Sequence, residues 1–187
     1  ISLLSILLLI PSFKGNNIKI LVYRSCFGFL GIFLYFYAIE KLPLANAVVL
    51  NQMNPFFVLI FSYISLGESI RKPQVIAIFV ALIGVMFIVR PSIDYSFIPA
   101  TSGLLAAVFA AAAYTMIRHL RLTDSPQIII FYFTGISALA TIPFMAFQGY
   151  VIPSPLQWVV VLAVGIFATL AQFFMTYAYG YAQAGEL

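Results

Sequence analysis

LANAVVLNQMNPFFVLIFSYISLGE, Leu44 to Glu68, decides the fold. From Leu42 to Gly67 the chain runs 26 residues without a charge, between Lys41 and Glu68. At a rise of about 1.5 Å per residue, one helix of that length crosses a hydrocarbon core of roughly 30 Å. Its middle, however, holds Asn51, Gln52, Asn54 and Pro55, which an inert anchor does not need. Pro55 has no backbone N–H to offer the carbonyl of Asn51. In lipid such a group must be satisfied by neighbouring helices, side chains or trapped water. The segment is therefore expected to be surrounded by protein or to line a cavity, with Pro55 acting as a kink.

The remainder of the 187 residues has the same character. Sixty-four per cent are hydrophobic, 7% are charged and the mean hydropathy is +1.10, which excludes an ordinary soluble domain. Long apolar runs without alternation exclude a β-barrel, so the chain reads as an all-α polytopic membrane protein. The net charge of +4 comes from bases in short loops, which fits membrane orientation rather than nucleic-acid binding. Cys26 and His119 are single, so no intrachain disulfide, metal site, Cys/His catalytic pair or cofactor is expected. The chain begins at Ile1 inside an apolar run with no basic region before it, which does not read as a signal peptide. A fragment is expected, cut inside one helix at the start and ahead of another at the end.

Seven segments are predicted, at 2–13, 20–39, 44–66, 73–90, 101–118, 127–148 and 156–179. The links between them are short and rich in Gly, Pro, Asn and Ser, so they form one bundle with no soluble domain. Alternating the loops puts Lys14, Lys19, Arg24, Arg71, Lys72, Arg118 and Arg121 on one side, and Lys41 and Arg90 on the other. That asymmetry places loops 14–19, 67–72 and 119–125 in the cytosol, of either the plasma membrane or an endomembrane. A weak repeat pairs Leu34-Tyr35-Phe36-Tyr37-Ala38 with Phe174-Met175-Thr176-Tyr177-Ala178, offset by 140 residues. An odd number of crossings separates the copies, so they are inverted, as in the repeats of secondary transporters.

These residues resemble the drug/metabolite transporter superfamily and its EamA-type repeat. The resemblance runs through Tyr37-Ala38, the small residues Ala45 and Ala47, Asn54-Pro55, the Leu66-Gly67-Glu68 exit and Gly84. It departs at Ala77, where the pattern usually has glycine, and the second copy matches only at Tyr177-Ala178. Pro55, Gly67, Glu68 and Gly84 are the structural motif residues it implies. The resemblance implies a ten-helix bundle of two inverted five-helix repeats, here 1–92 without its first helix and 101–187 without its last two. Within the superfamily the chain looks closest to proteins related to solute carrier family 35, group G. Some of those relatives carry a historic name implying an acyl-malonyl condensing enzyme, for which no residue here speaks.

The expected activity is alternating-access transport of a small organic metabolite, with the lipid bilayer as the other partner and a homodimer left open. Asn51, Gln52, Asn54, Tyr114, Thr115, Gln172 and Tyr177 are the candidate cavity-lining residues, and no residue is assigned a catalytic role. For each the plain alternative is interhelical hydrogen bonding. Glu68 is read as pairing with Arg71 or Lys72, three and four residues on, ahead of a proton-coupling role. Glu40 with Lys41 is read as a solvated pair, and Arg24 as an orienting anchor that can snorkel to the surface, ahead of a contact to an anionic substrate. No phosphate-binding glycine loop points to an ATPase, and no filter motif to a channel. Two alternatives remain: a structural or partner-binding membrane subunit, and a membrane-embedded acyltransferase, whose nucleophile and base find no constellation.

Overall fold

A computed structural model describes residues 14–89, 97–148 and 154–183, and within them the regular structure is helical throughout. The helices are α1 (Ile18–Lys41), α2 (Leu44–Asn51), α3 (Asn54–Phe61), α4 (Lys72–Val89), α5 (Phe97–Leu120), α6 (Pro126–Gln148) and α7 (Pro155–Ala178). A π-helical turn, Ser62–Leu66, continues α3. Five stretches are long and apolar enough to cross a membrane: Ile18–Lys41, Leu44–Leu66, Phe97–Leu120, Pro126–Phe144 and Pro155–Ala178. Lys72–Gly84 is a shorter apolar helix. The chain is an all-α polytopic membrane protein. The expected segment 2–13, with Arg90, Asp94 and Glu186, lies outside the described residues.

Two boundaries differ from the sequence expectation for physical reasons. The 44–66 segment bends, as expected, but at Gln52 and Met53, where the backbone stays right-handed and tightens. After Asn51 the Met53 N–H turns to the Leu50 carbonyl (3.2 Å) and the Phe56 N–H to that of Met53 (3.1 Å). Pro55 is then the second residue of a new helix, where its missing N–H costs nothing. The α5 helix starts at Phe97, four residues before the expected 101, because Pro99 falls in a first turn whose N–H groups have no helical partner anyway. The start of α7 follows its sequence signal: Ser154 and Gln157 cap each other reciprocally.

α5 runs through the middle of the bundle, packing against α1, α2 and α3, while α6 packs against α1 and α7. Its small face, Gly103, Ala106, Ala107 and Ala111, is buried. Gly31 of α1 answers it: a Cβ there would stand 3.2 Å from the Ala110 nitrogen and 3.3 Å from the Ala106 oxygen. The two backbones therefore meet almost directly, as small residues allow in membranes. At Gly103 a Cβ would reach Leu50 Cδ1 at 3.0 Å, whereas at Gly84 nothing lies within 4 Å. On the outside, Val159, Val160, Val161 and Phe167 of α7 stand exposed, an apolar face suited to lipid.

Three loops gather at one end. The Asn16 N–H donates to Asp124 Oδ1 (2.7 Å), joining the approach to α1 to the α5–α6 turn. Gly67, at φ 67°, closes the π turn in the left-handed region, and the Glu68 N–H returns to the Ser62 carbonyl at 3.3 Å. Glu68 then reaches Arg118 of α5, Nε to Oε1 3.3 Å. Its partner across the fold is thus Arg118, which the reading of local i,i+3 and i,i+4 pairing did not include. Glu40 and Lys41 pair at the exposed end of α1, as expected (2.8 Å). Gly67→Ala forces a Cβ into a left-handed conformation and should cost about 1–2 kcal/mol. Thermal denaturation in detergent is expected to show that loss, and a smaller one for Gly67→Asn; equal midpoints for all three proteins would contradict the argument.

Candidate functional site

One face of α1 sets the site. Arg24, Gly28, Gly31 and Tyr35 follow at intervals of four, three and four, which stacks them on one side of a helix. All four line a cavity of about 190 Å³. The break between α2 and α3 adds Asn51 and Asn54, α5 adds Ala110, Ala113 and Tyr114, α6 adds Phe133, and α7 adds Gln172. Asn51 and Asn54 are three residues apart, so the ends of both half-helices present their amides to the same space. The tightened turn between them keeps its backbone hydrogen-bonded, so the polar groups it brings to the cavity are the side chains.

The charged member is Arg24. Only 1% of it is exposed, so it does not snorkel to the surface as the sequence reading had it. It stands on the seventh residue of α1, roughly 9 Å along the helix. Its guanidinium carbon lies 3.8 Å from the centre of the Phe133 ring, and Nη2 donates to Gln172 Oε1 (3.2 Å). Nε and Nη1 are buried without a hydrogen-bond partner. Gly28 one turn on makes the room: a Cβ there would fall 2.8 Å from Phe133 Cε2 and 3.2 Å from Arg24 Nη1. The five carboxylates of the chain are Glu40, Glu68, Asp94, Asp124 and Glu186. Glu40 bonds Lys41, Glu68 bonds Arg118, and Asp124 bonds Asn16 and Thr123, while Asp94 and Glu186 lie outside the described residues.

Of the seven candidates read from sequence, the structure brings together Asn51, Asn54, Tyr114 and Gln172. Gln52 and Pro55 face the other way, into a hollow with Ile78, Ala81 and Leu82 of α4. Helical spacing explains the split, since Gln52 sits about 100° round from Asn51. Thr115 is buried, bonds the Ala111 carbonyl within its own helix (2.9 Å), and borders an apolar groove with Phe61 and His119. Tyr177 is exposed at the bundle rim, stacked on Phe173 and beside Arg121. Tyr114 is backed by Tyr179, ring centres 6.1 Å apart. Sequence reasoning missed Gly28, Gly31, Tyr35 and Phe133, and ranked Arg24 as an orienting anchor ahead of a contact to an anionic substrate. A signal existed for the α1 face: an arginine inside a span, followed by glycine one and two turns on, is a cleared space beside an intramembrane charge.

Comparison with known proteins gives this geometry a context. A model of the EamA-like transporter family matches residues 1–90 and 98–187. The pseudopaline exporter of Pseudomonas aeruginosa is 38% identical over 171 residues, which are 90% of this chain and 60% of the exporter. An uncharacterised transporter of Helicobacter pylori is 32% identical over 184 residues, 94% of this chain and 61% of that protein. A riboflavin transporter of Brucella anthropi is 27% identical over 180 residues, 91% of this chain and 62% of its own length. The chain spans about 60% of the length of these curated relatives.

Proposed function

The chain belongs to the EamA-like transporter family, and on that premise we propose that it serves as a secondary carrier of a small organic metabolite. The cavity between α1, the α2–α3 break, α5, α6 and α7 is the substrate site in this reading. The observation that carries it is that Asn51 and Asn54, from either side of the α2–α3 turn, border one cavity with Arg24, Tyr114 and Gln172. Polar groups at membrane depth are costly, and here α1, α2, α3, α5 and α7 bring theirs to one place. The relatives named for pseudopaline and riboflavin support a small organic solute.

Transport would proceed by alternating access, the repeats 1–92 and 101–187 rocking about the cavity. The close glycine and alanine contact between α1 and α5 joins elements of the two repeats, with Phe27 stacked on Phe109 beside it (ring centres 5.8 Å), and supports their moving as packed bodies. The end that gathers loops 14–19, 67–72 and 119–125 is assigned to the cytosol on its excess of bases. No residue of the cavity is given a chemical step; binding and release are its whole task.

Uptake into sealed vesicles carrying the protein tests the reading, with riboflavin, amino acids, organic acids and their amides as the solute panel. Saturable flux is expected for at least one solute, and Asn51→Ala with Asn54→Ala should lower it tenfold or more at unchanged insertion. The reading fails if the double variant transports as well as the parent protein, or if no solute of the panel moves.

A further inference from the structure

We propose that this cavity is an anion site, in which Arg24 binds a carboxylate of the substrate. The inference rests on the carrier reading of the same cavity and adds the chemical class of the solute. An arginine stays ionised in any protein environment, so the space carries a full positive charge. Burying that charge is expensive unless an anion or a set of hydrogen bonds compensates. Phe133 supplies its ring face and Gln172 one acceptor, but Nε and Nη1 remain without partners at 1% exposure. No described carboxylate pairs with Arg24; Glu40, Glu68 and Asp124 are held elsewhere.

Nε and Nη1 lie on different edges of the guanidinium, and each can donate a charge-assisted hydrogen bond to a carboxylate oxygen. The surrounding groups suit the rest of such a molecule. Asn51 and Asn54 offer amide donors and acceptors, Tyr35 and Tyr114 offer rings and hydroxyls, and Gly28 and Gly31 keep the α1 wall flat. The ring of Phe133 holds the guanidinium plane in place, so little freedom is lost when the anion docks. Gln172 fixes the remaining nitrogen from α7, and substrate binding thereby couples α1 to α7 through a single side chain.

The test compares acids with their amides, which match in shape and differ in charge: benzoate with benzamide, nicotinate with nicotinamide, succinate with succinamide. Binding is measured by calorimetry on the purified protein in lipid nanodiscs. At least one acid is expected to bind tenfold or more tightly than its amide. Arg24→Gln should reduce that preference below twofold, and Arg24→Lys should retain part of it. Equal affinity for acid and amide in the parent protein overturns the proposal with no variant needed. So does a preference that survives Arg24→Gln, or a folded parent protein that binds none of the acids. Vesicle flux separates the two readings. Arg24-dependent acid binding without flux of any solute sinks the carrier and leaves the anion site standing. Flux of an amide that Arg24→Gln leaves unchanged keeps the carrier and overturns the anion site.

Discussion

Gly31→Leu is expected to separate α1 from α5 and to cost about 3 kcal/mol or more, the upper end of what overpacking does. The reason is what a side chain would meet. At Gly31 the nearest atoms to a Cβ are the Ala110 nitrogen at 3.2 Å and the Ala106 oxygen at 3.3 Å, both backbone. A side-chain neighbour can rotate aside, but a helix backbone moves only as a body. Alanine demands a shift of a few tenths of an ångström, whereas leucine demands that the helices part and that Gly28 and Tyr35 leave the cavity with them. Gly84→Leu is the control, since nothing lies within 4 Å of a Cβ there. Survival of the monodisperse species after heating in detergent should fall sharply for Gly31→Leu, modestly for Gly31→Ala and not at all for Gly84→Leu. Equal behaviour of the two leucine variants would remove the argument for direct backbone contact.

The second large effect is expected from Arg118→Ala. Arg118 joins three elements: its Nε meets Glu68 Oε1 at 3.3 Å, and its Nη1 donates to the Tyr179 carbonyl at 3.1 Å. The side chains are 23% and 12% exposed, so the pair is screened less than a surface pair. Hydrogen bonds to charged groups contribute about 1.5–3 kcal/mol each, and the loss for the variant should fall near 2 kcal/mol because water can enter. Glu68→Gln should cost less, as an amide oxygen still accepts. A double-mutant cycle is then expected to show coupling of about 1 kcal/mol between positions 68 and 118. Additive losses would mean that the pair contributes nothing. The same variants address Glu68 as a proton-coupling acid: with a purely structural role, Glu68→Gln leaves the dependence of flux on a pH gradient unchanged.

The legible part of the site was the polar middle of the 44–66 span. Asn51, Asn54 and Pro55 stand out because hydrocarbon tolerates neither loose amides nor a missing donor without a reason. Tyr114 and Gln172 were legible as polar residues within apolar spans. Gln52 looked equivalent to its neighbours in sequence, yet a step of one residue turns it to α4. Thr115 was spent on its own helix, a common fate for a threonine that can reach the carbonyl four residues back. Arg24 shows the limit most clearly. Near the end of a predicted span an arginine can snorkel outward or turn inward, and its stem is long enough for both. What decided the matter was a ring on α6 and an amide on α7, more than 100 residues away.

By itself the sequence determined that the chain is helical and repeatedly membrane-spanning, roughly where each helix lies and which loops share a side. Those properties follow from local hydropathy, helix length and charge, which act along the chain without reference to distant partners. The tertiary structure alone decided which polar residues meet. The direction in which Asn51 or Gln52 points depends on the rotation of α2 and α3 about their axes. That rotation is set by packing against α5, where Leu50 of α2 lies over Gly103, 3.0 Å from where a Cβ would stand. Tertiary packing likewise decided that Arg24 is buried rather than at the surface: its guanidinium lies against Phe133 in space that a Cβ at Gly28 would crowd, and bonds Gln172 of α7.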